Sequence, residues 1–129
     1  MKHIIMIAIG GALGAVSRHG LGNWINTLPI SKLTHGYLPY GTLTVNVIGS
    51  FLIGIMYVLI TEKMSLHADW RNVVIIGFLG AFTTFATFSL ETITLMENGH
   101  VFESIVYVIA SLLFCFLAAW AAILVTRLI

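Results

Sequence analysis

The fold of this chain is decided by the stretch Gly77-Phe-Leu-Gly-Ala-Phe-Thr-Thr-Phe-Ala-Thr-Phe-Ser-Leu-Glu91. It lies inside a hydrophobic run from Val73 to Met96, and a membrane helix takes about 20 such residues. Gly destabilises a helix interior by about 1 kcal/mol relative to Ala, and the hydroxyl groups here compete for backbone partners. Irregular backbone at membrane depth occurs where it is buried in protein or lines a cavity. The stretch predicts a span interrupted at its centre; an ordinary membrane helix with small residues for packing stays open.

The composition is that of a protein embedded in a membrane. Of 129 residues, 59% are hydrophobic and 9% charged, which is too apolar for a soluble domain of this size. A chain of this length is predicted to form one domain, residues 1–129. The net charge of +1 gives no indication of nucleic-acid binding. The single cysteine, Cys115, excludes an internal disulfide and a cysteine-based metal cluster.

Hydrophobic stretches divide the chain into four predicted membrane spans, at about residues 4–27, 40–61, 71–96 and 101–128. The fold class that follows is an all-α membrane protein with four transmembrane helices. The sequence contains no recognisable nucleotide-binding loop, catalytic triad or His/carboxylate metal cluster. The chain is therefore not expected to be an enzyme.

Two polar side chains within these spans are unusual. Arg18 lies in the first span, where a guanidinium is unfavourable unless it snorkels or meets a partner or water. It is either a snorkelling residue or a positive charge at the mouth of an anion pathway. Asn46 lies in the second span, on one helical face with Thr42 and Ser50. Its carboxamide either ties two helices together or offers donors to a passing solute.

The polar groups at membrane depth are mainly hydrogen-bond donors. Tyr107, Ser111 and Cys115 are spaced by four and share a face of the last span. A cation pathway would more naturally contain a mid-span carboxylate. Aromatic rings have a positive edge, so the edges of Phe85 and Phe88 suit contact with an anion. These features favour an anion as the solute.

Two further features of the third span stay open in function. The carbonyl groups of Gly80 and Thr83, if a helix break frees them, suit a hard cation. Glu91 is either a proton-relay carboxylate or an ordinary residue near the interface at a helix end.

In these motifs the chain resembles the Fluc/CrcB family of fluoride channels. The resemblance rests on Gly41-Thr-Leu-Thr-Val-Asn46, on Gly80-x-x-Thr-Thr-Phe-x-Thr-Phe-Ser-x-Glu91, and on Arg18 after a glycine-rich first span. It covers essentially the whole chain, in order. It implies an antiparallel, dual-topology homodimer with two fluoride pores and a structural Na⁺ at the dimer interface.

The resemblance also implies roles for individual residues. The backbone carbonyls of Gly80 and Thr83 would hold the Na⁺, Arg18 would lie in a vestibule, and Glu91 would be the carboxylate that closes the motif. The fluoride pore would be lined by Asn46, Phe85, Phe88, Thr42, Thr87, Tyr107 and Ser111. Two positions depart from the family pattern: Ala86 and Cys115 stand where serines are expected, which puts the detailed hydrogen bonding of the pore in doubt.

The expected function is passive export of toxic fluoride across the plasma membrane. Lys2, Lys63, Arg71 and Arg127 would lie on one side of a four-span protein, which favours a single orientation with both termini in the cytoplasm. Because an antiparallel pair needs both orientations, a heterodimer with an oppositely inserted homologue stays an alternative to the homodimer. Two other functions remain: a small proton-coupled multidrug exporter, which would need an acidic residue in the first span, and a non-transporting membrane scaffold subunit.

Overall fold

The chain is an assembly of helices that run back and forth. A computed structural model describes residues 1–32, 37–63 and 68–129. The first long helix, α1 (Lys2–Thr27), is followed by a short 3₁₀ turn (Pro29–Lys32). The second, α2 (Tyr40–Tyr57), continues as a π-helical segment (Val58–Lys63). A second π-helical segment (Asn72–Leu79) joins the short helices α3 (Ala68–Arg71) and α4 (Gly80–Phe82), and the chain ends with α5 (Phe85–Glu97) and α6 (Val101–Leu128).

Four helical spans are long and apolar enough to cross a membrane: Lys2–Thr27, Tyr40–Lys63, Asp69–Glu97 and Val101–Leu128. Within the described residues all regular secondary structure is helical. The prediction of an all-α protein with four membrane spans is confirmed, and the predicted bounds differ from these by a few residues at most. The chain is a multi-pass membrane protein.

The third span changes conformation near its middle. α4 ends at Phe82, and Thr83 and Thr84 then have extended backbone angles, with φ/ψ of −82°/156° and −150°/118°. α5 begins at Phe85, and the Thr84 side chain accepts a hydrogen bond from the Thr87 amide. Thr is a favoured N-cap because its hydroxyl satisfies an amide that the first helical turn leaves unpaired. The Thr84 side chain therefore stabilises the start of α5.

Small residues let the helices approach closely, as the Gly10-x-x-x-Gly14 pattern predicts. A Cβ atom at Gly10 would clash with the carbonyl oxygen of Val73, and one at Gly14 with that of Phe78. α1 therefore packs backbone to backbone against the third span. On the other side of the bundle, a Cβ atom at Gly54 of α2 would lie 2.6 Å from the carbonyl oxygen of Ala119 in α6.

One end of the bundle, where the chain begins and ends, carries two ion pairs between spans. Lys2 Nζ lies 2.8 Å from Asp69 Oδ2, and Arg127 Nη2 lies 2.6 Å from Glu62 Oε1. The first pair connects α1 to the start of the third span, and the second connects the π-helical segment after α2 to the end of α6. Both pairs lie at the ends of the apolar spans, where charged side chains can remain hydrated.

Few side chains are fully enclosed, and most large apolar ones face outward. A buried cluster of Phe88, Leu95 and Tyr107 joins α5 to α6. On the outside, Phe102, Phe116 and many other aromatic and aliphatic residues are mainly exposed. An outward-facing apolar surface is expected of a protein whose solvent is lipid.

Candidate functional site

Asn46 holds α2 against the non-helical residues of the third span. Its Oδ1 accepts a hydrogen bond of 2.8 Å from the Thr84 amide, and its Nδ2 donates one of 3.1 Å to the Thr84 carbonyl. The Thr84 amide, which has left the helical pattern, would be unpaired at membrane depth without such a partner. The Asn46 carboxamide therefore ties α2 to the third span, which is one of the two roles that the sequence left open. The hydrogen bond to the Thr84 carbonyl uses one of the two hydrogens on Nδ2, so the other can donate to a passing solute.

A cavity of about 290 Å³, here called the Asn46 cavity, lies beside this tie. It brings together residues from α2, the third span and α6. Four residues predicted to line a fluoride pore belong to its lining: Asn46, Phe85, Phe88 and Ser111. The remaining lining residues are Ser50, Ile53, Thr83, Thr84, Leu112, Cys115 and Phe116.

Ser111 contributes an unpaired hydroxyl to the Asn46 cavity. The residue is 6% exposed. Among the side-chain oxygen and nitrogen atoms buried in the described part of the chain, its Oγ is the one without a hydrogen-bond partner. Leaving a buried polar group unsatisfied is unfavourable by about 1–3 kcal/mol. Ser111 is therefore a polar residue of the cavity wall whose hydroxyl has no partner among the described residues.

Three aromatic rings form a row beside the cavity. The ring centroids of Phe85 and Phe88 lie 5.4 Å apart and are tilted by 48°, and those of Phe88 and Tyr107 lie 5.2 Å apart and are tilted by 51°. Tilted pairs at this spacing are a favoured aromatic geometry. Phe88 and Tyr107 are buried, whereas Phe85 is 74% exposed on this single chain.

Glu91 is held by hydroxyl groups from two other helices. Thr42 Oγ1 donates to Glu91 Oε1 at 2.7 Å, and Tyr107 Oη donates to Glu91 Oε2 at 2.8 Å. Glu91 therefore connects α2, α5 and α6 through these two hydroxyl groups.

A second cavity of about 290 Å³, here called the Arg18 cavity, collects most of the other predicted site residues. Arg18 is half-buried and lines it together with other polar residues. The lining consists of Arg18, His19, Gly22, Asn23, Asn26, Gly41, Thr42, Val45, Thr84, Thr87 and Glu91.

A third and larger cavity, of about 860 Å³, lies at the end of the bundle where α5 gives way to α6 and is here called the His100 cavity. Neighbouring cavities share a lining residue: Thr84 lines both the Asn46 and the Arg18 cavities, and Glu91 lines both the Arg18 and the His100 cavities.

The residues predicted to bind Na⁺ lie at the change of conformation in the third span. In a continuous helix the Thr84 amide would donate to the Gly80 carbonyl, and the Thr87 amide to the Thr83 carbonyl. Instead the Thr84 amide donates to Asn46 Oδ1, and the Thr87 amide to Thr84 Oγ1. Both candidate carbonyls have therefore lost their regular helical donors, and Gly80 itself is exposed.

Sequence reasoning did not assign a site role to Thr84 or Ser50. Thr84 pairs with Asn46, caps α5 and lines two cavities. The sequence indicated this capping role, because a Thr directly before a helix is a typical N-cap. Its hydroxyl accepts a hydrogen bond from the amide three residues further on. Ser50 was signalled by its spacing of four from Asn46. Tyr107 lines none of the three cavities described, and it contributes through its bond to Glu91.

Comparison with known proteins identifies the family. A family model described as "CrcB-like protein, Camphor Resistance (CrcB)" matches residues 5–123. The chain belongs to the CrcB family. The resemblance read from the motifs is confirmed, and it extends over nearly the whole chain.

Three relatives of this CrcB protein share a name. A protein of Hahella chejuensis named fluoride-specific ion channel FluC is 42% identical over 129 residues, which cover 100% of this chain and 98% of the relative. Proteins of the same name from Saccharophagus degradans and Magnetococcus marinus are 46% and 41% identical, with 95% and 98% of this chain and 88% and 98% of the relative covered. These relatives are named as ion channels, and ion channels are not enzymes.

Proposed function

We propose that this CrcB chain forms a channel that conducts fluoride passively across the plasma membrane and so exports a toxic anion from the cell. The observation that carries the proposal is the orphaned Ser111 hydroxyl in the wall of the Asn46 cavity. A small anion needs convergent donors to replace its hydration shell, and this cavity offers a free hydroxyl beside a carboxamide. The name of the relatives supports the same ion.

The proposed anion path runs from the Arg18 cavity to the Asn46 cavity. The Arg18 guanidinium supplies positive charge in the Arg18 cavity, which is our proposed vestibule. From there the shared Thr84 leads to the Asn46 cavity, where Asn46, Ser111 and the ring edges of Phe85 and Phe88 are the proposed fluoride contacts.

The hydroxyl groups around Glu91 have a different proposed role. The hydroxyls of Thr42 and Tyr107 donate to the carboxylate, so in this conformation they are not free to donate to fluoride. Thr42 and Thr87 line the vestibule rather than the Asn46 cavity. We infer that the carboxylate orients the Thr42 and Tyr107 hydroxyl groups.

A second copy of the chain would complete the pore. Phe85, a proposed fluoride contact, is 74% exposed on one chain, and a ring in this position is covered if another subunit packs there. The proposed assembly is an antiparallel, dual-topology homodimer with two pores, and a heterodimer with a homologue is its alternative. The proposed ion-binding element is the third span, as a membrane helix broken at its centre.

Na⁺ is the proposed structural ion at the dimer interface. Sodium is a hard cation that binds oxygen ligands, and broken membrane helices present such carbonyls. The carbonyls of Gly80 and Thr83 fit this chemistry because their regular helical donors are bonded elsewhere. Carbonyls from two copies would surround one ion, which would neutralise the dipoles that the break exposes.

Flux through liposomes tests the proposal. Purified protein in liposomes loaded with potassium fluoride is expected to release fluoride to a fluoride electrode, with little release of chloride in a parallel chloride-loaded sample. A folded protein that releases neither ion would refute the channel and favour a scaffold subunit. Release that depends on a proton gradient would favour the exporter, although its required acidic residue is missing from α1 (Lys2–Thr27).

A further inference from the structure

The first turn of α2 receives a capping group from α1. Gly41 is the second residue of α2, and the amides of a first helical turn have no partner within their own helix. The N-cap residue, Pro39, makes no side-chain hydrogen bond to this turn. Instead, Asn26 Oδ1 accepts a hydrogen bond of 2.9 Å from the Gly41 amide. Because Gly41 is buried, its amide would otherwise be withdrawn from water without a partner, which is unfavourable.

The backbone of α2 lies directly against this part of α1. A Cβ atom at Gly41 would lie 2.6 Å from the carbonyl oxygen of Gly22 and 2.9 Å from Asn26 Oδ1. Gly22 and Asn26 are four residues apart in α1, so they share a face of that helix. Asn26 is held in turn by Ser31, whose Oγ lies 2.8 Å from the Asn26 carbonyl oxygen. The start of α2 is therefore seated at a fixed place on α1.

We propose that Asn26 is a positioning residue of the anion path. Through the Gly41 amide it fixes where α2 lies along its axis and how the helix is turned. It thereby aligns the side chains that α2 presents to the third span. The effect of this alignment on fluoride flux rests on the proposed conduction, whereas the alignment itself does not.

Two contacts of the site depend on this alignment. Thr42 follows Gly41 directly and donates to Glu91 at 2.7 Å, and Asn46 pairs with Thr84 one helical turn later. A helix advances about 1.5 Å and turns about 100° per residue. Displacement of α2 by a single residue would therefore turn both side chains away from the third span.

Hydrogen–deuterium exchange of single amides tests the proposal, because an amide exchanges when its hydrogen bond opens. Asn26→Ala removes the acceptor of the Gly41 amide, and Asn26→Asp keeps it. Asn72→Ala is the matched control, because Asn72 lines none of the three cavities. NMR of the protein labelled with ¹⁵N-glycine and ¹⁵N-threonine follows the Gly41 and Thr84 amides, and fluoride efflux from liposomes is measured in parallel.

Asn26→Ala should speed the exchange of both amides by roughly two- to tenfold, the factor expected for the loss of one hydrogen bond, and should lower fluoride efflux. The Thr84 amide is bonded to Asn46 and not to Asn26, so its faster exchange reports the alignment of α2 and not the local cap. Asn26→Asp and Asn72→Ala should exchange both amides at the wild-type rate.

Three results would overturn the proposal. Unchanged exchange of the Thr84 amide in Asn26→Ala would show that the cap acts only locally. Exchange in Asn26→Asp as fast as in Asn26→Ala would show that the acceptor oxygen is not what matters. Faster exchange of both amides with wild-type efflux would separate the alignment from the anion path.

The test also holds if Asn26→Ala does not fold. A Gly41 amide that exchanges as fast as a free amide in the wild type or in Asn26→Asp would then overturn the proposal, and a protected amide in both would support it. The channel and the alignment fail in different ways. A wild type that releases no fluoride refutes the channel, while coupled exchange at Gly41 and Thr84 would still support the alignment by Asn26.

Discussion

The replacement Asn46→Asp separates the two tasks assigned to Asn46. The carboxylate keeps the acceptor for the Thr84 amide but loses the donor to the Thr84 carbonyl. The Thr84 carbonyl still accepts the first intrahelical bond of α5, so the loss of this one hydrogen bond is expected to destabilise the protein by roughly 0.5–1.5 kcal/mol. The tie should therefore weaken without being abolished, because the stronger, charge-assisted half remains.

The effect on conduction should be much larger than the effect on stability. A carboxylate in the wall of the Asn46 cavity lies near the path of an incoming anion. Two like unit charges 4 Å apart repel by about 4 kcal/mol at an effective dielectric constant of about 20. Because about 1.4 kcal/mol changes a rate tenfold, fluoride entry should slow by about a thousandfold.

The assay is fluoride efflux from liposomes, with the folded state checked by size-exclusion chromatography and thermal unfolding in detergent. Asn72→Asp is the matched control, because the same chemical change then falls on a residue that lines none of the three cavities. The control should keep its efflux. A folded Asn46→Asp protein that conducts like the wild type would refute the assignment of Asn46 to the anion path.

Four further predictions follow from the site and the packing. Phe88→Ala should destabilise the protein by about 3–5 kcal/mol, because Phe88 is buried, whereas Phe85→Ala at an exposed ring should change thermal unfolding of the single chain little and still reduce fluoride efflux. Ser111→Ala removes an unpaired hydroxyl, so it should leave thermal unfolding unchanged or raised while lowering efflux; unchanged efflux would count against the hydroxyl as a fluoride donor. Gly54→Leu should abolish the monodisperse folded peak, because its Cβ would lie 2.6 Å from a backbone oxygen of α6, and Gly20→Leu, with open space around its Cβ, is the control that should fold. Replacing Na⁺ by a large organic cation throughout purification should lower efflux and dimer content, and a protein indifferent to Na⁺ would remove the proposed structural ion.

Much of the site was predictable because its residues repeat at helical spacing or carry unusual chemistry for a membrane. Asn46 and Ser111 stood out as polar groups at span centres, and both line one cavity. Thr42 and Tyr107 were expected beside fluoride, yet both hydroxyls are bonded to Glu91. A spacing of four places residues on one face of a helix, but it does not say which neighbour that face meets.

The sequence by itself determined that this is a four-span, all-α membrane protein of the CrcB family, because span length and hydropathy are local properties matched to the thickness of a bilayer. It also indicated that the middle of the third span is a weak helix former, since glycine and threonine there disfavour a regular helix locally. Only the tertiary structure decided that Asn46 pairs with Thr84, that Glu91 takes two hydroxyl donors, and that Ser111 is left without one. Those contacts join residues far apart in the chain, and they depend on how each helix is rotated and how closely glycines let the backbones approach.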